Sequence, residues 1–239
     1  MRWVPIAGMM LVAWAWNVSA GQEVPSVRTP DSSDWWSTLR TADSDEVAKI
    51  QEREISADNY RILGIKLDNK MFAKAAAKLG RATEVTRGDA STGRDQICYV
   101  SKAGAKKVYL IFETGEVDFD MYLFVGGKPW NGSEYCVVSP LVTSTLGMSS
   151  GLRLGLPRAE VKAILGAPSR KTKNEWEYTF SVKKKLPPGQ LRDLRKANPE
   201  MSDEEFYKNY STYDSGGGVL VRFENGKVVY LSVSRSETM

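Results

Sequence analysis

Apolar positions follow two rhythms along this chain, and both rhythms occur twice in the same order. Met71, Phe72, Ala75, Ala76 and Leu79 recur at helical spacing and are followed by Gly80. Val161, Ile164 and Leu165 do the same and are followed by Gly166. A glycine just past a helix accepts the left-handed backbone that stops it. Upstream, Gly64-Ile65-Lys66-Leu67 matches Gly151-Leu152-Arg153-Leu154; Asp68 is placed to cap the first helix, and Pro157 suits the first turn of the second. Both segments predict short amphipathic helices that lay one face on a sheet.

Alternating segments follow each helix. Ile97 and Tyr99 match Trp176, Tyr178 and Phe180, and the run Tyr109–Val117 matches Leu220–Val228, with Thr114-Gly115 and Asn225-Gly226 at the turns. The chain therefore predicts an α+β fold of two tandem modules, each with short helices on an antiparallel β-sheet, over residues 43–142 and 143–239. Copy one adds a strand, Asp118–Val125, and the loop Gly126–Tyr135. Copy two carries an insertion at 183–215, where the capping box Ser202-x-x-Glu205 predicts a helix over Asp203–Tyr210. The insertion is basic first (Lys183, Lys184, Lys185, Arg192, Arg195, Lys196) and then acidic (Glu200, Asp203, Glu204, Glu205). Before the first module, Ser44 is expected to cap a short helix carrying Val47, Ile50 and Ile55.

Period-two alternation also assigns faces. With Val108, Leu110, Phe112, Met121, Leu123, Val219, Val221 and Phe223 toward the helices, Tyr109, Tyr122, Phe124 and Arg222 point away. Tyr230 likewise opposes Val229, Leu231 and Val233. Together with Trp130 these make a candidate platform for another protein, since Trp, Tyr and Arg dominate interface energetics. Asp118 and Asp120 share a strand face and read as its solvated outer side, with Phe119 on the core side. Ser215-Gly216-Gly217-Gly218 lacks the following helix and lysine of a phosphate loop, and reads as a flexible lead-in to the strand at Val219.

Charged and reactive residues narrow the chemistry. The chain contains no histidine among its 239 residues, which excludes Ser-His-Asp and Cys-His pairs and histidine metal ligands. No catalytic constellation, metal site or cofactor motif stands out, so the expectation is a protein that is not an enzyme and has no cofactor. Lys and Arg number 33 against 29 Asp and Glu, a formal charge of +4 with the signs interspersed, unlike the basic stripe of a nucleic-acid binder.

The segment 1–20 reads as a secretory signal peptide, with Arg2, an apolar run Ile6–Trp16 and the small residues Val18 and Ala20. The run is shorter than the roughly 20 residues a membrane span needs. Residues 21–42, rich in Ser, Thr, Pro and Asp, read as a linker or arm. The expected product is soluble, periplasmic and not lipidated, since no cysteine lies near the cleavage point, and has no later transmembrane segment. Export to an oxidising compartment turns Cys98 and Cys136 into a candidate disulfide.

The stretch Gly151-Leu152-Arg153-Leu154-Gly155-Leu156-Pro157-Arg158-Ala159-Glu160-Val161, closing at Leu165-Gly166-Ala167-Pro168 and followed by Trp176-Glu177-Tyr178, resembles the module of the outer-membrane assembly lipoproteins SmpA, OmlA and BamE. The tandem arrangement, over about Tyr60 to Val233, is similar to the beta-lactamase inhibitor protein family. The resemblance implies two helices on a four-stranded antiparallel sheet per module, and work done by protein binding. The chain departs from those lipoproteins in lacking a lipidation cysteine and in carrying two modules, and from the inhibitors in having both cysteines in or just after copy one. The expected function is that of an inhibitor or immunity-type protein occluding an envelope-acting enzyme or toxin, with another secreted or envelope protein as partner. The alternative the resemblance implies is an envelope-assembly accessory or scaffold.

Overall fold

Both expected helices form and stop at their glycines. In the computed structural model, which describes residues 48–87, 93–102, 104–126 and 134–238, α1 (Met71–Leu79) ends at Gly80 with φ 103°, and α2 (Arg158–Leu165) ends at Gly166 with φ 82°. Asp68 works just ahead of α1: one carboxylate oxygen accepts from the backbone N–H of Lys70 at 2.9 Å, and Lys74 Nζ lies 2.9 Å from the other. Desolvation is the largest single influence and opposes ionisation, but the bonds from Lys74 and Lys70, with the charges of Lys74 and Lys66, together hold the Asp68 carboxyl below its ordinary range. Met71, Ala75 and Leu79, then Val161 and Leu165, are the buried faces of the two helices.

All the strands except a short hairpin, which pairs only with itself, make one continuous sheet. After the short hairpin β1 (Arg61–Ile62) and β2 (Ile65–Lys66) come β3 (Val85–Arg87), β4 (Arg94–Ser101), β5 (Val108–Thr114), β6 (Asp118–Val125) and β7 (Val137–Ser139). After α2 come β8 (Arg170–Lys171), β9 (Glu175–Lys185), β10 (Thr212–Glu224) and β11 (Lys227–Thr238). The order is β3-β4-β5-β6-β11-β10-β9-β8, antiparallel throughout, with β7 added in parallel on β4. Each half is thus a helix followed by a short edge strand and a three-stranded meander. The last strands of the two meanders pair along a seam from Tyr230↔Phe124 to Ser236↔Asp118. In this order β6 corresponds to β11, so Asp118–Val125 is the closing strand of its meander rather than an addition to it.

Core assignment by alternation holds strand by strand, with one exception. Leu110, Phe112, Met121, Leu123, Tyr178, Phe180, Val219, Val221, Phe223, Leu231 and Val233 pack under the helices with Met71, Leu79, Val161 and Leu165. Val229 does not join them. A bulge between Arg222 and Phe223 pairs Phe223 with Val228 and Arg222 with Tyr230, so Val228 takes the core position and Val229 packs on the other face. The Asn225-Gly226 turn, both residues at positive φ (50° and 77°), lies next to this bulge.

Two other expectations change. Residues 48–50 are not helical, and Gln51 instead pairs in parallel with Phe180, its N–H donating to Thr179 O at 2.8 Å; Ser44 and Val47 lie outside the described residues. Sheet hydrogen bonds have outcompeted a short, weakly amphipathic helix. The glycine run is no loose lead-in either. Gly216, Gly217 and Gly218 lie inside β10 with partners on both sides, and a Cβ on Gly217 would meet Tyr60 Oη at 2.5 Å and Ser234 O at 2.6 Å. Glycine is required there by close approach.

At the end of the β9–β10 hairpin the insertion forms two helices, α3 (Pro188–Ala197) and the expected α4 (Asp203–Tyr210). The Ser202 hydroxyl accepts from the Glu205 N–H at 3.3 Å, as the capping box requires. Phe206 is the buried residue of α4, and the Arg195 guanidinium sits 5.2 Å from its ring centroid while Nη2 reaches Asp203 at 3.0 Å.

Burial of tyrosines sets an alkaline limit on this fold. Desolvation pushes the Tyr60 and Tyr99 phenols from the ordinary 10.0 up to about 12, and raises those of Tyr178 and Tyr230. Below pH 10.0 both folded and unfolded chains keep these protons and the stabilisation is complete; above it the unfolded chain ionises first, so stability falls as pH rises toward about 12. The denaturation midpoint is expected to be flat from about pH 8 to about pH 9.5 and to drop by about pH 11. A flat midpoint across that whole range would contradict the burial of these phenols.

Candidate protein-binding face

The face of the sheet turned away from α1 and α2 is ordered into rows by strand register. One row runs Val100, Tyr109, Phe124, Tyr230, Arg222, Glu175 across β4, β5, β6, β11, β10 and β9. The next runs Cys98, Ile111, Tyr122, Ser232, Leu220, Glu177, and ends at Arg170 on β8. A third runs Gln96, Glu113, Asp120, Ser234, Gly218, Thr179. The first two rows pass from apolar to more polar positions across the seam, and the third is polar on both sides of it.

Across the seam, the expected platform residues do come together, and the aromatic ones are buried. Tyr109, Tyr122, Phe124 and Tyr230 are each at most 4% exposed. Tyr109 stacks on Phe124 with ring centroids 5.5 Å apart, Phe124 lies 6.0 Å from Tyr230, and Arg222 sits 4.7 Å over the Tyr230 ring. They form a second apolar cluster with Ile111, Leu220 and Tyr135 rather than an open surface. Arg222 is half-buried and donates to Glu175 at 2.8 Å. Trp130 lies outside the described residues. Cys98 and Cys136 are disulfide-bonded, with Cα atoms 4.5 Å apart, which ties the start of β7 to β4 and lays Tyr135 on the cluster.

Two ionic groups border the face. Arg94 reaches Asp120 at 2.8 Å, Asp118 at 3.1 Å and Glu113 at 3.3 Å, while Gln96 donates to Glu113 at 3.1 Å and accepts from the Tyr135 hydroxyl at 3.0 Å. Burial works against the Arg94 charge, yet Asp120, Glu113 and Asp118 together hold its pKa above the ordinary value. Asp118 and Asp120 are therefore ion-pair partners, and Asp120 is buried, where a solvated strand face was expected. On the other half, Arg170 reaches Glu177 at 2.7 Å and Glu175 at 3.4 Å. Neither group was evident in the sequence, because the partners come from different strands and meet only through register.

Between these groups, over β6, β11, β10 and β9, lies an open cleft of about 490 Å³. Ser232, Ser234, Ser236, Thr179 and Ser181 line it with hydroxyls, Gly216 and Gly218 lower its floor, and Tyr122, Leu220 and Ile50 supply apolar edges. Its two carboxylates, Asp120 and Glu177, are engaged by Arg94 and Arg170. Such a surface offers hydrogen-bond donors and acceptors close to the sheet backbone. Among the described residues no cluster of three or more Asp, Glu or Cys side chains is arranged to hold a metal ion, and no helix is long and apolar enough to cross a membrane. Comparison with protein-family models, curated proteins and solved structures finds no match to this chain.

Proposed function

We propose that this is a non-enzymatic binding protein of the periplasm, built from two tandem helix-plus-sheet modules joined edge to edge, that engages another secreted or envelope protein through the outer face of its sheet. The most concrete form is an inhibitor or immunity-type protein that occludes an envelope-acting enzyme or toxin. The carrying observation is the hydroxyl-lined cleft on the outer face, deep enough at Gly216 and Gly218 for a partner's extended segment to approach the strands. The mirrored strand order supports the tandem reading, and the disulfide is compatible with secretion. The aromatic row backs the cleft and stiffens it, and direct contact falls to the polar residues beside it.

Filling the cleft tests the reading. Ser234→Tyr puts a ring into its centre from β11, and because the half-buried hydroxyl row lines an open cleft the ring has room there and the fold should stay intact. Partner captured from a periplasmic extract by the wild-type protein is expected to fall about 10-fold or more with this variant, the scale of a central interface contact. Equal capture by a folded Ser234→Tyr protein rules the cleft out as the contact surface. If the captured partners are outer-membrane assembly proteins, the accessory role replaces the inhibitory one.

A further inference from the structure

At the edge of the second half, a separate cavity of about 500 Å³ is lined by Lys49, Lys162, Lys171, Arg170, Trp176 and Ser169, with Ala167 and Pro168. Every charged residue in that lining is a cation. Three different parts of the chain supply the lysines: Lys49 is delivered by the segment that Gln51 anchors to β9, Lys162 by α2, and Lys171 by β8. This convergence is produced by the fold and is invisible as a charge run in the sequence. Gln51 fixes the wall further, its side chain donating to Ser169 Oγ at 2.8 Å and to Ala167 O at 3.1 Å.

The cations here differ from others on the surface. Lys74, Lys183 and Lys184 each have a carboxylate partner, whereas Lys49, Lys162 and Lys171 have none among the described residues. Arg170 is 7% exposed; Glu177 and Glu175 take its Nε and Nη2, and its Nη1 is buried without a hydrogen-bond partner. Glu175 also pairs with Arg222, so the two carboxylates and two guanidiniums of that group balance. What remains uncompensated is the lysine triad. Three like charges held around one cavity repel one another, and a multivalent anion relieves that repulsion.

We propose that this cavity is a phosphate-binding site, taking a phosphate group carried on a sugar or other ring. The lysines meet the phosphate oxygens as charge-assisted donors. Trp176, half-buried against Phe223 at 5.1 Å, presents an indole beside them for the attached ring. The same chemistry is offered by a soluble sugar phosphate and by the headgroup of an anionic lipid.

Calorimetric titration of the intact protein tests this with three probes: inorganic phosphate, glucose 6-phosphate, and vesicles of phosphatidylinositol 4-phosphate in phosphatidylcholine. Saturable binding of the sugar phosphate, tighter than inorganic phosphate and weakened by salt, is expected; binding confined to the vesicles assigns the phosphate to a lipid. In either case Lys162→Glu/Lys171→Glu should weaken binding about 10-fold or more, and Lys183→Glu, at an exposed lysine elsewhere, should leave it unchanged. Should the double variant fold poorly, Lys49→Glu alone reads the same loss. Absence of binding to all three probes, or binding that the lysine variants leave intact, overturns the proposal.

Discussion

Replacing Arg94 with methionine is expected to cost the fold about 3–5 kcal/mol, the scale for removing one partner from a buried ionic group. The Arg94 guanidinium is shared by Asp120, Asp118 and Glu113, of which Glu113 is fully buried and Asp120 nearly so. The substitution removes a positive charge from among three carboxylates and leaves their mutual repulsion in a region of low polarisability. Strain then passes along Glu113 to Gln96 and from Gln96 to Tyr135, the residue beside the disulfide. Asp118→Asn is the contrasting change: its side chain is 37% exposed, and its pair with Arg94 is expected to contribute less than about 1 kcal/mol. Urea unfolding of the two variants measures both. Equal, small losses would mean that Glu113 and Asp120 do not depend on Arg94.

The same ionic group shows where sequence reading stops. Local chemistry was legible because its partners lie within a few residues: Gly80 and Gly166 as helix stops, Ser202 capping α4, and Asn225-Gly226 as a hairpin turn. Alternation assigned most inward and outward positions, since a strand's period is two wherever the ladder is regular. It failed at Val229, where a bulge shifts the phase by one residue. It also missed α3, because Pro187-Pro188 read as punctuation, whereas a proline in the first turn begins that helix. Arg94 and Arg170 carried no local signal. Their partners are fixed by pairings such as Gln96↔Glu113 and Arg170↔Glu177, which are facts of register. For the same reason Tyr109, Tyr122, Phe124 and Tyr230 could be placed on one face, while their burial depended on the chain returning over them at Tyr135. A face is written in a strand's own sequence, but its cover comes from elsewhere.

Cys98→Ala/Cys136→Ala is expected to lower stability by about 3–4 kcal/mol, the loop-closure entropy for a bridge of this span. The sequence separation is 38, long enough for the unfolded chain to gain substantial freedom once the bond is gone. The folded state loses something as well. β7 has three residues and pairs only at Tyr99↔Val137, Val100↔Val138 and Ser101↔Ser139, so the bridge is a large part of what holds it and Tyr135 to β4. Because Tyr135 packs on the aromatic cluster, loosening should appear first as faster amide exchange in β7, ahead of β10 and β11 across the seam. Denaturant unfolding of the double variant and of the reduced wild-type protein should give the same lowered midpoint. Unchanged midpoints in both would mean that the loop is held by its packing and that the bond adds no stability. If the midpoint drops while Ser234-dependent partner capture survives below it, the bridge supports β7 and Tyr135 without shaping the cleft over β6, β11, β10 and β9.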